Sequence, residues 1–265
     1  MISFDCASCG ATLRVGDDKA GKSGKCTECG GIITIPSAPG PLPASGPDDQ
    51  VSKQHMEPTP WDADWKEYYR AAEAIARNQF NGVVKPALGE ALFKSFDMSV
   101  TLDFACGYGR FAEILAPRCG KLICCDIKAD SIDYCRRRFA NHPSGCQFEF
   151  VVNDLDGIAL SDEMVTFVYS WDAMVHFNKE LLDRYFREFY RVMKKGGRGF
   201  AHHSNYCGLV GPKDTIWNDN PHCRASVSAQ DAKEILEKCG FKVLAQTRIT
   251  WAHDVDLDCI SVFEK

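Results

Sequence analysis

The sequence predicts an α/β protein with a mostly parallel seven-stranded sheet, preceded by a small cysteine-rich module. Short apolar segments alternate with amphipathic segments over residues 61–265, and the last two apolar segments have no helix between them. Alternating strands and helices are typical of a parallel sheet with right-handed crossovers, whereas two successive strands form an antiparallel hairpin. Two Cys-x2-Cys pairs near the N-terminus indicate the separate module.

Hydrophobic periodicity gives the predicted order of elements in the larger part. Helices are expected over 61–80, 83–95, 110–116, 129–140, 179–194 and 228–239, and strands over 100–104, 122–126, 148–152, 164–170, 198–203, 242–250 and 258–263. Gly196 and Gly197 are expected to form a turn just before the fifth strand. The predicted domains are residues 1–36, a Pro/Gly-rich linker over 37–60, and the α/β domain over 61–265.

The composition of the 265-residue chain indicates its cellular location and limits the classes of partner expected. Hydrophobic residues make up 45%, yet no apolar run is long enough to span a membrane, and the N-terminus does not look like a secretory leader. Ten of the 14 cysteines are scattered, which suits small buried side chains in a reducing compartment, so a cytoplasmic location is expected. The net charge of -5 argues against nucleic acid as a partner, and Arg136–Arg138 is interpreted as a solvated helix face.

Four cysteines in the N-terminal module are predicted to bind one structural zinc ion. Cys6 and Cys9 form the first pair, Cys26 and Cys29 form the second, and 16 residues separate the pairs. Four thiolates at this spacing suit a tetrahedral zinc site. The flanking sequences alternate like short strands, so the module resembles a zinc ribbon. Such a short chain needs the metal to stay folded, and its partner cannot be identified from these residues.

Polar and small residues follow the first three strands of the predicted sheet. Gly107 and Gly109 form a tight turn that lets a ligand approach the backbone before a helix whose amides can hold an anion. Asp126 ends the second strand, where a carboxylate can accept hydrogen bonds from both hydroxyls of a ribose; the alternative is a helix N-cap. Asp154 follows the third strand, where it is either an adenine contact or an ordinary turn residue.

This order resembles the class I S-adenosylmethionine-dependent methyltransferases over roughly residues 65–265. The shared features are the glycine-rich loop, the acidic tip of the second strand, Asn153-Asp154, Trp171-Asp172 and the Gly-Gly turn. The resemblance implies a Rossmann-like sheet, with Ala105 in place of the loop's first glycine and Arg110 in place of its last. A dinucleotide dehydrogenase is the rival interpretation, but its three-glycine fingerprint is absent. The residues expected to bind S-adenosylmethionine are Tyr69, Asp103, Ala105, Gly107, Gly109, Arg110, Asp126, Asp154, Trp171 and Asp172.

Histidines stand where a methyl acceptor would lie, after the fourth and fifth strands. Methyl transfer to a hydroxyl requires removal of a proton, and histidine suits that role near neutral pH. His176, His202 and His203 are therefore the candidate general bases. The predicted acceptor contacts are Asn205, His222 and Arg224. This set of side chains favours a small hydroxylated or sugar-related metabolite as the acceptor.

Three functions remain open at this point. The first is O-methylation of a small metabolite. The second is an RNA or protein methyltransferase that recruits its substrate through the ribbon, since some ribosomal-RNA methyltransferases carry a related zinc module. The third is a non-enzymatic zinc-ribbon adaptor.

Overall fold

The computed structural model describes residues 2–5, 11–19, 21–35, 62–154, 157–210, 224–251 and 254–265. It separates two compact units, Met1–Ser45 and Gly46–Lys265, and the division falls inside the segment predicted as a linker. Across the described ranges, no helix combines the length and the apolar character that crossing a membrane requires.

The smaller unit contains two antiparallel hairpins. Strand β1 (Ile2–Asp5) pairs with β2 (Thr12–Val15), and β3 (Ser23–Lys25) pairs with β4 (Ile32–Thr34). Strand β3 was not predicted, because its Ser-Gly-Lys sequence has no apolar alternation. Leu13, Cys26 and Ile33 pack together in this unit.

The first described element of the larger unit is helix α1 (Asp62–Gln79), which continues through a π-helical turn, Phe80–Val84. The predicted helix over 83–95 is instead two short helices, α2 (Lys85–Leu88) and α3 (Glu90–Lys94). Gly89 separates them with φ of 73°, a conformation that glycine adopts readily and that ends a helix.

Seven strands form the sheet of the larger unit, as predicted. They are β5 (Val100–Phe104), β6 (Lys121–Asp126), β7 (Gln147–Val152), β8 (Val165–Ser170), β9 (Met193–Ser204), β10 (Lys242–Trp251) and β11 (Asp254–Glu264). Their spatial order is β10-β11-β9-β8-β5-β6-β7. All neighbouring pairs from β9 to β7 are parallel, while β11 is antiparallel to both β9 and β10. The predicted fold class, including the C-terminal hairpin, is confirmed.

Helices cover both faces of the sheet, so most strand residues are buried. The helices that follow β5 in the chain are α4 (Arg110–Leu115), α5 (Ala129–Arg138), α6 (Lys179–Val192), α7 (Tyr206–Val210) and α8 (Ala229–Lys238). Asn178 caps α6 by accepting from the Leu181 amide, and Ser228 begins α8 with a reciprocal capping box. One apolar layer contains Phe111, Leu122 and Phe167, and the other contains Ile123, Val168 and Phe186.

Strand β9 starts earlier than expected and contains a local irregularity. Its pairing with β8 passes from Val165–Met193 to Phe167–Arg198, so β9 advances by five positions where β8 advances by two. Gly196 lies in this bulge with φ of 78°. The two glycines therefore form a bulge inside the strand rather than a turn before it.

The connections leave strand β5 in opposite directions across the sheet. The chain goes from β5 to β6 and β7 on one side, and then returns to β8 on the other side of β5. At such a reversal point the loops beyond the carboxyl ends of the strands separate and leave a crevice. The candidate site lies at this edge.

Candidate active site

Every second residue of the loop after β5 has a positive φ. Ala105, Gly107 and Gly109 have φ of 56°, 53° and 75°. The loop therefore has the conformation of a three-glycine turn although its first position is alanine, where a left-handed φ costs about 1 kcal/mol. The third such position is Gly109, whereas Arg110 is the first residue of α4. The expectation that Arg110 replaces the last glycine is wrong.

Both glycines of the loop are closely covered by side chains. A Cβ added at Gly107 would lie 2.7 Å from Tyr69 Cε1, and one at Gly109 would lie 2.6 Å from Phe139 Cε2. The Tyr69 ring also stacks on Tyr108 with ring centroids 4.3 Å apart. Helix α1 therefore places an aromatic ring directly over the loop.

Asp126 at the tip of β6 holds the loop through its carboxylate. One oxygen accepts from the Gly107 amide at 2.8 Å, and the other accepts from the Lys128 amide at 2.9 Å. Burial raises the pKa of Asp126, and these two amide bonds partly oppose the rise. A carboxylate has about four acceptor positions, so each oxygen can still accept one more hydrogen bond.

Apolar and polar groups adjoin Asp126 at the tips of β6 and β7. Ile127 is 41% exposed and Val152 is 47% exposed, although both are large apolar side chains. Between the strand tips, the buried Asn153 donates to the Tyr185 hydroxyl, while its Oδ1 has no hydrogen bond within the described structure. Asp154 is exposed and accepts from the Gly157 amide. An exposed apolar pair beside an unsatisfied amide oxygen suits a flat heterocycle with a polar edge.

Asp103 lies on β5 beneath the loop and is almost fully buried. Burial raises the pKa of this carboxyl well above its usual range, although the neighbouring Tyr169 hydroxyl and Arg110 oppose the rise. Its Oδ2 has no hydrogen bond within the described part of the chain. A buried acceptor of this kind can be satisfied by a cationic or hydrogen-bonding group of a ligand.

Arg110 and Asp172 form a shielded ion pair between α4 and the end of β8. The Arg110 Nη2–Asp172 Oδ2 distance is 2.7 Å. Burial alone would raise the pKa of Asp172, but Arg110, Arg224 and His202 outweigh it and lower that pKa. The two predicted cofactor residues are thus brought together, and they bind each other.

Trp171 packs in an aromatic stack rather than against open space. Its ring lies parallel to Phe111 and 4.2 Å from the ring centroid of His202. Its indole nitrogen donates to Gln79 at 3.4 Å. These contacts make Trp171 a wall of the site rather than a surface that a ligand can cover.

His202 belongs to a fully buried polar network with Asp258 and Arg224. Its Nδ1 accepts from the Asp172 amide at 3.1 Å, so the proton lies on Nε2, which is 3.0 Å from Asp258 Oδ2. Arg224 forms two hydrogen bonds with the same carboxylate, at 2.9 and 2.7 Å. Burial would raise the pKa of Asp258, but His202 and Arg224 hold it well below its usual range. With both ring nitrogens engaged, His202 does not fit the role of a general base.

Two other predicted site residues, His203 and Asn205, have structural contacts, and a third lies outside the described residues. His203 Nε2 bonds to Ser261 Oγ, and its Nδ1 bonds to the Ser204 carbonyl. Asn205 donates to the Asp256 carbonyl and accepts from the Ala229 amide, which ties the hairpin to α8. The predictions of His203 as a base and of Asn205 and Arg224 as acceptor contacts find no support in these arrangements. His222 lies outside the described residues.

His176 is the candidate base that remains partly accessible. It ends the short 3-10 turn Met174–His176, which follows β8 at the same edge of the sheet as the loop. Met174 and Val175 are fully buried and anchor this turn, while His176 is only half-buried. The turn therefore brings an imidazole to the edge where an acceptor would lie.

The buried His203 predicts a pH dependence of stability. Burial lowers the pKa of His203 to about 4, whereas in the unfolded chain it titrates near 6.5. Between these values the unfolded chain binds a proton that the folded chain does not. Stability is therefore expected to fall by roughly 1 kcal/mol per pH unit as the pH drops from about 6.5 to about 4. Urea denaturation of wild type and His203→Gln measures this contribution.

The raised pKa values of Asp103 and Asp126 change stability with pH in the opposite direction, but they do so equally in both proteins. The difference between the two curves of stability against pH therefore reports the contribution of His203. His203→Gln is expected to lose less stability than wild type over this range. Parallel curves would contradict the assignment of His203 as a buried neutral imidazole.

The second cysteine pair of the small unit lies in the turn between β3 and β4. The Cys26 amide donates to the Gly31 carbonyl, and the Gly30 amide donates back to the Cys26 carbonyl with Gly30 at φ of 72°. Such a turn can direct both thiols of Cys26 and Cys29 toward one metal. Cys6 and Cys9 lie outside the described residues, so the four-cysteine zinc site stays a prediction.

Comparison with known proteins gives a family match for part of the larger unit. Residues 101–197 match the family described as a methyltransferase domain. No curated protein matches the chain in sequence.

Solved structures share the fold of the larger unit at low identity. An S-adenosylmethionine-dependent methyltransferase from Clostridium acetobutylicum is 13% identical with a TM-score of 0.58, covering 76% of this chain and 98% of its own. Magnesium protoporphyrin IX methyltransferase from Synechocystis, solved with bound S-adenosylhomocysteine, is 15% identical with a TM-score of 0.54, covering 75% and 87%. The cyclase SpnF is 16% identical with a TM-score of 0.55, covering 75% and 83%.

At these identities the likenesses show the fold, and the cyclase among them means that the chemistry must be argued from the site. The family match, together with this fold, supports S-adenosylmethionine-dependent methyltransferase activity.

Sequence reasoning missed several residues that shape the site. Ile127 and Val152 were detectable, since each is a large apolar residue at the tip of a strand. Asp258 and Gln79 were not, because their partners lie far away in the sequence.

Proposed function

We propose that the chain transfers a methyl group from S-adenosylmethionine to a hydroxyl of a small, sugar-related or otherwise hydroxylated metabolite. The observation that carries the proposal is the Asp126 carboxylate, which holds the glycine loop with one hydrogen bond per oxygen and keeps further acceptor capacity. This arrangement, next to exposed apolar side chains at the strand tips, suits a ribose and its attached base.

Different residues of the crevice would bind different parts of the cofactor. Asp126 would accept from the ribose hydroxyls, and Ile127 and Val152 would flank the adenine. The Asp103 Oδ2 beneath the loop, which has no hydrogen bond within the described residues, would accept one from the cofactor, and Tyr69 would cover the loop. The bound cofactor supplies a methyl group activated by a positively charged sulfur.

His176 is proposed as the general base for the acceptor hydroxyl. His176 ends a turn at the carboxyl edge of the sheet and is only half-buried, whereas His202 and His203 are fully buried. A base near this edge would remove the hydroxyl proton as the oxygen attacks the methyl carbon. The contribution expected of such a base is roughly 100-fold or more in rate.

The test first needs an acceptor, which a thermal-shift screen of sugar nucleotides and acidic metabolites with S-adenosylhomocysteine can supply. With that acceptor, His176→Asn is expected to lower kcat roughly 100-fold and to remove the ascending limb of the rate-versus-pH curve. Glu180→Gln, an exposed change in the next helix, is the matched control and is expected to leave both unchanged. An unaltered pH curve in His176→Asn would rule out His176 as the base.

The N-terminal unit is proposed to be a zinc ribbon held by Cys6, Cys9, Cys26 and Cys29. The rival function, recruitment of an RNA or protein substrate through this unit, is tested by deleting residues 1–60. An enzyme for a small acceptor is expected to keep most of its turnover, because the described crevice lies within the larger unit. Loss of most turnover with retained cofactor binding would favour a macromolecular substrate. The cytoplasmic location and the absence of a nucleic-acid partner stay predictions.

A further inference from the structure

Three cysteine thiols meet directly beneath the glycine loop. Cys106 lies in the loop, Cys124 on β6 and Cys135 on α5, and their sulfur atoms all lie within 4.8 Å of one another. Cys106 is 8% exposed, and the other two are fully buried. Neither the four-cysteine module nor the proposed methyl transfer uses them.

The backbone of the loop places a carbonyl oxygen, a possible metal ligand, beside the same three thiols. The Gly107 carbonyl oxygen lies 3.3 Å from Cys135 Sγ and 3.5 Å from Cys106 Sγ. Three sulfurs and one carbonyl oxygen therefore lie close together, and they come from a loop, a strand and a helix.

These spacings are close to those of a tetrahedral metal centre. With metal–sulfur bonds of about 2.3 Å, the sulfurs of such a centre are about 3.8 Å apart, and a coordinated oxygen lies about 3.6 Å from each sulfur. The sulfurs here are at most 4.8 Å apart, so each pair would close by no more than about 1 Å. The two sulfur–oxygen distances already agree with the tetrahedral value.

The charges around the cluster favour a divalent ion over a monovalent one. Three thiolates with a divalent ion leave one net negative charge, whereas a monovalent ion leaves two, and the carboxyls of Asp103 and Asp126 lie nearby. Thiolates are the ligands of such an ion, so its binding displaces the protons of the three thiols.

We propose that Cys106, Cys124 and Cys135, with the Gly107 carbonyl, form a second, buried site for a thiophilic divalent ion of the zinc class. An ion there would link α5 and β6 to the loop that Asp126 holds from the other side. The slightly exposed Cys106 marks the side from which the ion would enter.

Cadmium binding by the full-length, reduced and metal-stripped chain tests the site. Bound cadmium per chain is measured after equilibrium dialysis, together with the ultraviolet absorption of cadmium–thiolate bonds. Cys124→Ala is compared with Cys125→Ala, the next residue on the same strand, which is equally buried but packs in the opposite apolar layer. Wild type and Cys125→Ala are each expected to bind about one more ion per chain than Cys124→Ala.

Equal cadmium content in wild type and folded Cys124→Ala would overturn the proposal, whatever the cysteines of the small unit bind. Should Cys124→Ala fail to fold, the loop variant Cys106→Ala and an anomalous-scattering map of cadmium-soaked wild-type crystals decide instead. A peak between the three sulfurs supports the site, and no peak there overturns it. Since the readout is metal content, failure of the methyltransferase proposal leaves this test intact.

Discussion

Asp126→Ala is expected to raise the dissociation constant for S-adenosylhomocysteine on the order of 100-fold. The carboxylate is proposed to accept from two ribose hydroxyls, and its loss also leaves the Gly107 and Lys128 amides without their acceptor. Hydrogen bonds to a charged group contribute about 1.5–3 kcal/mol each, so a loss of roughly 3 kcal/mol is a conservative sum. Isothermal titration calorimetry measures it directly.

The matched control is Asp133→Asn, which changes an exposed acidic residue on α5 that forms a surface ion pair with Arg136. Its affinity for S-adenosylhomocysteine is expected to stay within about 2-fold of wild type, because surface ion pairs contribute little. If Asp126→Ala binds as tightly as this control, the ribose assignment is incorrect.

Arg224→Met is expected to lower the free energy of unfolding of the larger unit by about 3–5 kcal/mol. Asp258 is fully buried, and Arg224 supplies two of the hydrogen bonds that keep its charge stable there. Removing one partner of a buried ion pair leaves the other charge uncompensated, which is the costly case. Urea denaturation followed by the fluorescence of the neighbouring Trp171 and Trp251 gives the change.

Two further variants separate charge from packing. Arg224→Met with Asp258→Asn is expected to recover roughly 2 kcal/mol relative to the single variant, since the new amide side chain would be neutral and could still accept from His202. Arg248→Met breaks an exposed pair with Asp256 on the same hairpin and is expected to cost less than about 1 kcal/mol. If the double variant were no more stable than Arg224→Met, the loss would come from packing rather than from an uncompensated charge.

The sheet and its carboxyl edge were predictable because both rest on local patterns. Strand β6 contains the continuous apolar run Leu122–Cys125, and Asp126 follows directly on it. The turn before the fifth strand was misjudged because glycine pairs accompany both turns and bulges, and only the pairing partner distinguishes them.

The histidines show why the acceptor side was harder to predict than the cofactor side. His202 and Asp258 are 56 residues apart, and His203 and Ser261 are 58 residues apart. Strand β11 lies next to β9 in the sheet, so the C-terminal hairpin supplies partners that no local pattern around the histidines reveals. A histidine at a strand end therefore looked available from the sequence when it is a buried structural group.

A crystal structure of the full chain with S-adenosylhomocysteine would show where the cofactor binds. We expect ribose hydroxyls within hydrogen-bond distance of Asp126 and an adenine between Ile127 and Val152. A ligand bound elsewhere, or a crevice that stays filled by the Tyr69 side chain at saturating ligand, would contradict it.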